Sequence, residues 1–234
     1  MRSLRAFIFL LSFAALPAVA QDDTKRIDRK VFYSSCAKAF PKNLFNGESR
    51  KTFDGIFDYW ESKNYKDSRW LAYILATAYR ESGGTMQPVR EGMCFTNQCS
   101  IDAVSALLKK NNRPESENYA IPVQGKSYYG RGLVQITHKR NYARVGQALG
   151  WGNDLVSNPD LTLNRDKAIA ILVEGSVQGM FSKDKKTGEW RKLSTYLNDQ
   201  TTDWVGARSI INPGSKRAHI PAEHAQHFYS CLTK

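Results

Sequence analysis

Apolar and polar positions alternate with helical spacing along most of the chain. The clearest stretch is Ser68–Glu81, where Trp70, Leu71, Ile74, Leu75 and Ala78 form one apolar stripe. Asp67 or Ser68 stands ahead of it as a cap, and Ser82-Gly83-Gly84 follows as a stop. The same spacing predicts helices over Ser49–Glu61, Ile101–Lys109, Asn141–Leu149, Asp166–Gly175, Trp204–Ile211 and Ala222–Leu232. Strand signals are few. Only Tyr128–Thr137 mixes aromatic and β-branched residues, and Gly130 and Gly132 interrupt it, so it reads as a loop leading into a short extended piece. The predicted class is mainly α, with at most a small β-hairpin.

The N-terminus departs from this pattern. Arg2 and Arg5 precede an apolar run from Ala6 to Pro17, and Ala18-Val19-Ala20 makes a small-x-small cleavage site ahead of Gln21. Residues 1–20 therefore read as a signal peptide; the run is shorter than the about 20 residues a membrane span needs. The expected mature protein, residues 21–234, has no later stretch suited to a stable membrane span, and its expected location is periplasmic or secreted. No repeat, low-complexity segment or long Pro/Ser-rich linker divides it, so a single monomeric domain is expected. A composition of 41% hydrophobic and 12% aromatic residues is that of a globular protein.

Export changes the meaning of the four cysteines. In an oxidising compartment, without a CxxC or spaced His ligands, they read as two disulfides and not as a metal site. Three pairings exist; Cys94 with Cys99, closing a short loop, and Cys36 with Cys231, tying the chain ends together, are preferred. The formal charge of +12 implies an acidic partner. Nucleic acid is disfavoured, because the chain is exported and its Lys and Arg residues are scattered and do not line one helix. An anionic cell-wall polymer or membrane surface fits the compartment better.

Glu81 ends the clearest helix. Its i±3 and i±4 neighbours are Thr77, Ala78, Gly84 and Thr85, so no cation of its own helix would hold it ionised, as suits a carboxylic acid that must donate a proton. Glu91 follows after Gly83, Gly84 and Pro88, which let the chain fold back and turn both carboxylates toward one cleft. Inverting cleavage of a glycosidic bond needs two carboxyl groups roughly 6.5–9.5 Å apart, one to protonate the leaving oxygen and one to activate water. Downstream, Tyr128-Tyr129-Gly130-Arg131-Gly132-Leu133-Val134-Gln135-Ile136-Thr137 and Asn141-Tyr142 combine glycines that admit a ligand with side chains that hydrogen-bond hydroxyl and acetamido groups.

Together with Glu81-Ser82-Gly83-Gly84, this segment resembles the signature of glycoside hydrolase family 19, the chitinase group of the lysozyme-like superfamily. The likeness continues through Asn158-Pro159-Asp160-Leu161 and Ala207–Gly214, and is nearest to short bacterial and phage members of the endolysin and muramidase type. It implies a lysozyme-like, two-lobed helical fold with a substrate cleft, no metal and no cofactor. Carried over by position, the general acid falls on Glu81 and the general base on Glu91. Thr137 falls where a residue helps hold the attacking water; Gln135 and Asn141 fall on substrate contacts, with Tyr129, Arg208 and Asn212 as further cleft residues.

Two positions depart from the family pattern. Arg80 replaces a frequent His before the acid and is expected to point away from it. Pro213 follows Asn212 where Gly is common. The expected activity is cleavage of β-1,4 linkages in an N-acetylglucosamine polysaccharide. Peptidoglycan is preferred for its charge, chitin is the alternative, and a non-catalytic wall-binding protein on the same scaffold is the third reading. His224 and His227, an i, i+3 pair without a third ligand, read as a solvated helix face. Trp60, Trp70, Trp151, Trp190 and Trp204 read as core, and no Gly-x-Ser-x-Gly elbow points to acyl transfer.

Overall fold

The computed structural model describes residues 26–234, so the expected signal peptide lies outside the described residues. The longer helices are α1 (Arg29–Cys36), α2 (Gly47–Ser62), α3 (Ser68–Glu81), α4 (Asn97–Lys110), α5 (Lys139–Ala148), α7 (Arg165–Gln178) and α9 (His219–Leu232). Two four-residue pieces, α6 (Asp154–Ser157) and α8 (Leu193–Tyr196), lie between them. Strands β1 (Val89–Arg90) and β2 (Arg131–Gly132) pair antiparallel, Val89 opposite Gly132 and Arg90 opposite Arg131. The class is mainly α, as the hydrophobic spacing predicts. The sheet is not a hairpin: α4 lies between its two strands, so a long excursion separates two very short partners.

α3 has the predicted bounds because its signals agree with its burial. The Asp67 carboxylate accepts from the Arg69 N–H at 2.9 Å, one of the amides a helix start leaves without a partner. Every residue from Leu71 to Ala78 is buried, so α3 is a central helix enclosed beyond its stripe. It packs on α9 and α7, while α2 packs on α7 and α1 on α9. The aromatic side chains Phe32, Phe53, Phe57 and Phe228 fill the space where α1, α2 and α9 meet. Each such residue contributes about 1.5–3 kcal/mol by leaving water.

Where boundaries differ, local hydrogen bonds explain the shift. α4 begins four residues earlier than the stripe suggests, because the Thr96 hydroxyl accepts from the Cys99 N–H at 3.2 Å. Trp204–Ile211 is not an α-helix but a 3₁₀ turn over Gly206–Ile210, and the Asp203 carboxylate accepts from the Gly206 N–H at 2.7 Å in a local side-chain turn. α1 has too short a stripe to be found by periodicity; Asp28 caps it, accepting from the Val31 N–H.

Both preferred disulfides are present. Cys36–Cys231 joins α1 to α9 across 195 residues of sequence, and Cys94–Cys99 closes a loop across five. A cross-link closing so long a loop stabilises the fold by about 2–4 kcal/mol, chiefly by restricting the unfolded chain. Beside the main core, Val104 and Leu108 of α4 form a second cluster with Ala120 and Tyr129. Glu81 ends a helix of the larger body, and Glu91 stands just ahead of the smaller one. No helix among the described residues is long and apolar enough to cross a membrane.

Candidate active site

Glu81 sits at the last residue of α3, where Ser82 stops the helix and Gly83 and Gly84 both take positive φ, 62° and 85°. Most side chains are strained in that left-handed backbone and glycine is not, so the chain turns away sharply from the carboxylate. No cation on the same helix pairs with Glu81, but a distant one does: Arg208 donates through Nη1 to Oε1 at 2.6 Å. The unpaired setting expected for Glu81 is thus corrected. Helix spacing reports only local neighbours, and Arg208 is 127 positions away. Oε2 has no protein partner among the described residues. The charge of Arg80 is, after burial, the next cause holding the His224 imidazole of α9 below its ordinary value.

Glu91 opens a short 3₁₀ turn just after β1 and is fixed at both oxygens. Tyr119 donates its hydroxyl to Oε1 at 2.5 Å, and the Gly130 N–H donates to Oε2 at 2.7 Å. The Glu91 N–H in turn donates to the Gly130 carbonyl at 2.7 Å. A Cβ at position 130 would lie 3.1 Å from Glu91 Oε2 and 2.8 Å from Gln135 Oε1, so only glycine leaves room for both groups. Burial, and then the bond to the carboxylate, push the Tyr119 phenol above its ordinary value, which keeps it a donor. Tyr119 carried no motif in the sequence, and its role depends on a contact 28 positions away.

The structure divides the remaining candidates. Thr137 is half-buried, and its hydroxyl bonds no protein group among the described residues. Its neighbour His138 packs a ring 5.1 Å from that of Tyr119, which brings this turn to the Glu91 side. Gln135 spends its amide nitrogen on the Val89 and Gly132 carbonyls, at 2.9 and 3.0 Å, and Asn141 donates to the Thr137 carbonyl at 2.7 Å. The expected substrate amides of both are therefore bracing the backbone of β1, β2 and the turn before α5. Tyr129 is fully buried and bonds Asn97, so it is no cleft residue. Arg208 is buried against Glu81, whereas Asn212 is exposed with its side chain unengaged among the described residues.

A buried hub that the motif residues conceal supports this arrangement. Arg131, only 2% exposed, lies over the Tyr129 ring at 3.6 Å and donates to Asp160, to the Ser127 carbonyl and to Asn97. Arg90 pairs with the other oxygen of Asp160 at 2.5 Å, so one carboxylate holds both strands. A planar guanidinium with several donors suits such a buried, many-sided site better than an ammonium would. In Gly130-Arg131-Gly132 the glycines suggest ligand approach, but it is the arginine that carries the structure. Asp160 was visible only as part of the family pattern.

The histidine pair is also corrected. His224 is half-buried with its ring against Tyr79 and Phe40, so it leaves the solvated face expected for it, whereas His227 is exposed there and only touches Phe40 edge-on. Among the described residues no group of three or more His, Cys, Asp or Glu side chains is placed to hold a metal. Of the tryptophans, Trp60 is buried and Trp70 donates to the Leu197 carbonyl at 2.7 Å. Trp190 instead lies between the cations of Arg144 and Lys183.

Known proteins are similar to this chain in part of their length. The glycoside hydrolase family 19 sequence profile, described as chitinase class I, matches residues 23–186. An endochitinase of Pisum sativum is 30% identical over 179 residues, 72% of this chain and 52% of its own. A lectin/endochitinase 1 of Urtica dioica is 31% identical over 178 residues, 76% of this chain and 40% of its own. Among solved structures, chitinase C from Streptomyces griseus HUT6037 aligns with a TM-score of 0.47 at 19% identity, covering 90% of this chain and 71% of that one. The chain spans about half, or less, of the length of the curated relatives it matches.

Proposed function

The chain belongs to glycoside hydrolase family 19, and on that footing we propose that it hydrolyses the β-1,4 linkages of chitin with inversion. Family membership over residues 23–186, with relatives named endochitinases, is the observation that carries this. It moves chitin ahead of peptidoglycan. The positive charge that favoured an anionic wall polymer bears on approach to a surface and not on which bond is cut. Export belongs to the same proposal, and the two disulfides suit an oxidising compartment.

In the proposed reaction Glu81, assigned as acid by its place in the family pattern and not by an unpaired setting, protonates the departing oxygen through Oε2, while Arg208 donates to Oε1. Glu91 takes the proton of a water that attacks from the opposite face of the sugar, and the Thr137 hydroxyl orients that water. The support for Glu91 as base is its fixation by two donors, which leaves the carboxylate one orientation and costs no reorganisation during reaction. The chemistry needs no metal or cofactor.

Tyr119→Phe tests that fixation. Removing a hydrogen bond to a charged group is expected to lower kcat/KM by about tenfold to a hundredfold, with thermal stability little changed. Equal steady-state kinetics for variant and wild type would mean that the Gly130 N–H alone orients Glu91.

Parallel digestion of purified chitin and peptidoglycan, with mass spectrometry of the new reducing ends, tests the substrate. New N-acetylglucosamine ends from chitin are expected. New N-acetylmuramic acid ends with chitin untouched would make the protein a muramidase, and binding without turnover on either polymer would make it a wall-binding scaffold.

A further inference from the structure

Beyond the catalytic pair, an apolar surface at the acid–base edge has no protein partner. Phe95 is 96% exposed and Met93 47% exposed, although both belong to the short segment directly after Glu91. Isolated surface hydrophobics are ordinary, but a phenyl ring left almost wholly in water four positions after the proposed base is not explained by packing. Three features hold it there. Cys94 is extended (φ −84°, ψ 148°) and its sulfur is bonded to Cys99, which fixes the backbone between Met93 and Phe95. The Cys94–Cys99 disulfide encloses Phe95, and Thr96, capping α4, anchors the segment from its other end. Met93 itself adopts φ 58°, a left-handed conformation costly for a non-glycine residue.

Met93 also places this surface. A Cβ on Gly83 would lie 3.4 Å from the Met93 sulfur, so the thioether lies over the turn that follows Glu81. One side chain thus joins the segment carrying Glu91 to the segment carrying Glu81, and Phe95 follows two positions further along the first of them. We propose that Met93 and Phe95 form an apolar platform that takes the face of an N-acetylglucosamine ring next to the bond being cut. This rests on the proposed function for the identity of the sugar. A β-1,4-linked pyranose presents axial C–H groups on its flat faces, and an aromatic ring with a polarisable thioether matches that surface without demanding a hydrogen-bond partner. Because the disulfide fixes the loop beforehand, little conformational freedom is lost when the sugar arrives.

Phe95→Ala and Phe95→Trp in the full chain test the platform, with affinity for a β-1,4 N-acetylglucosamine hexamer measured by calorimetry on ice and KM measured at working temperature. Phe95→Ala is expected to weaken binding and raise KM by roughly tenfold with kcat retained, and Phe95→Trp to restore both. Unchanged thermal unfolding separates this from a folding defect, since Phe95 contacts no core. Equal affinity in Phe95→Ala and wild type overturns the platform, and so does a wild type that does not bind the hexamer. Wild type that binds the hexamer but releases no product overturns the proposed activity instead, and the comparison of affinities still judges the platform.

Discussion

Glu81→Gln is expected to lower turnover of natural β-1,4 linkages by ~10²–10⁴-fold, the usual contribution of a positioned general acid. The loss should shrink on aryl glycosides with good leaving groups, whose departing oxygen needs little protonation. Gln is the informative replacement because its carbonyl still accepts from Arg208. Glu81→Ala would leave a guanidinium buried without its partner, and breaking a buried pair costs about 3–5 kcal/mol, so a dead alanine variant would not separate chemistry from folding. Rates on an oligosaccharide and on an aryl glycoside, measured side by side with a thermal melt, check this. An equal loss on both substrates in a folded Gln variant would remove Glu81 from the acid role.

The interaction with Arg208 also shows where sequence reasoning stops. Helix α3 was legible to the residue, because its stripe, its Asp67 cap and its terminal glycines are all local and agree. The chemistry at its end was not. Arg208, Tyr119 and Asp160 reach Glu81, Glu91 and Arg131 from 127, 28 and 29 positions away, and no periodicity encodes such pairs. The family likeness located the segment Tyr128–Asn141 but not the direction of its side chains. Tyr129 turns into the second core, and Gln135 and Asn141 bind backbone carbonyls, because a two-residue strand pair needs bracing that its own ladder does not supply. Polar residue types that suit a sugar equally suit an unsatisfied carbonyl. Among the disulfides the loop-closing and end-tying pairs are legible, since chain proximity favours the one and the expected oxidising compartment favours both.

Glu91→Ala should remove water activation, so its defect is expected to be as large on an activated aryl glycoside as on chitin oligosaccharides, the opposite of the pattern for Glu81→Gln. The vacated place keeps two donors, the Tyr119 hydroxyl and the Gly130 N–H, both aimed where the carboxylate was. A small anion is therefore well received there. Azide should restore part of the rate on the activated substrate and appear in the product as an α-glycosyl azide, because it attacks the face opposite the departing β-linked sugar. Wild type should by the same geometry release the α-anomer first, detectable by NMR before mutarotation. A β-anomer released first would mean two successive displacements, with a carboxylate of the protein or the acetamido group of the sugar as the first nucleophile, and would overturn the inverting mechanism. Rescue by azide without inversion would move the site of attack away from Glu91. With Tyr119→Phe added to Glu91→Ala, one of the two donors is gone, and the azide rescue should weaken in proportion, which ties the prediction to the hydrogen bonds that motivate it.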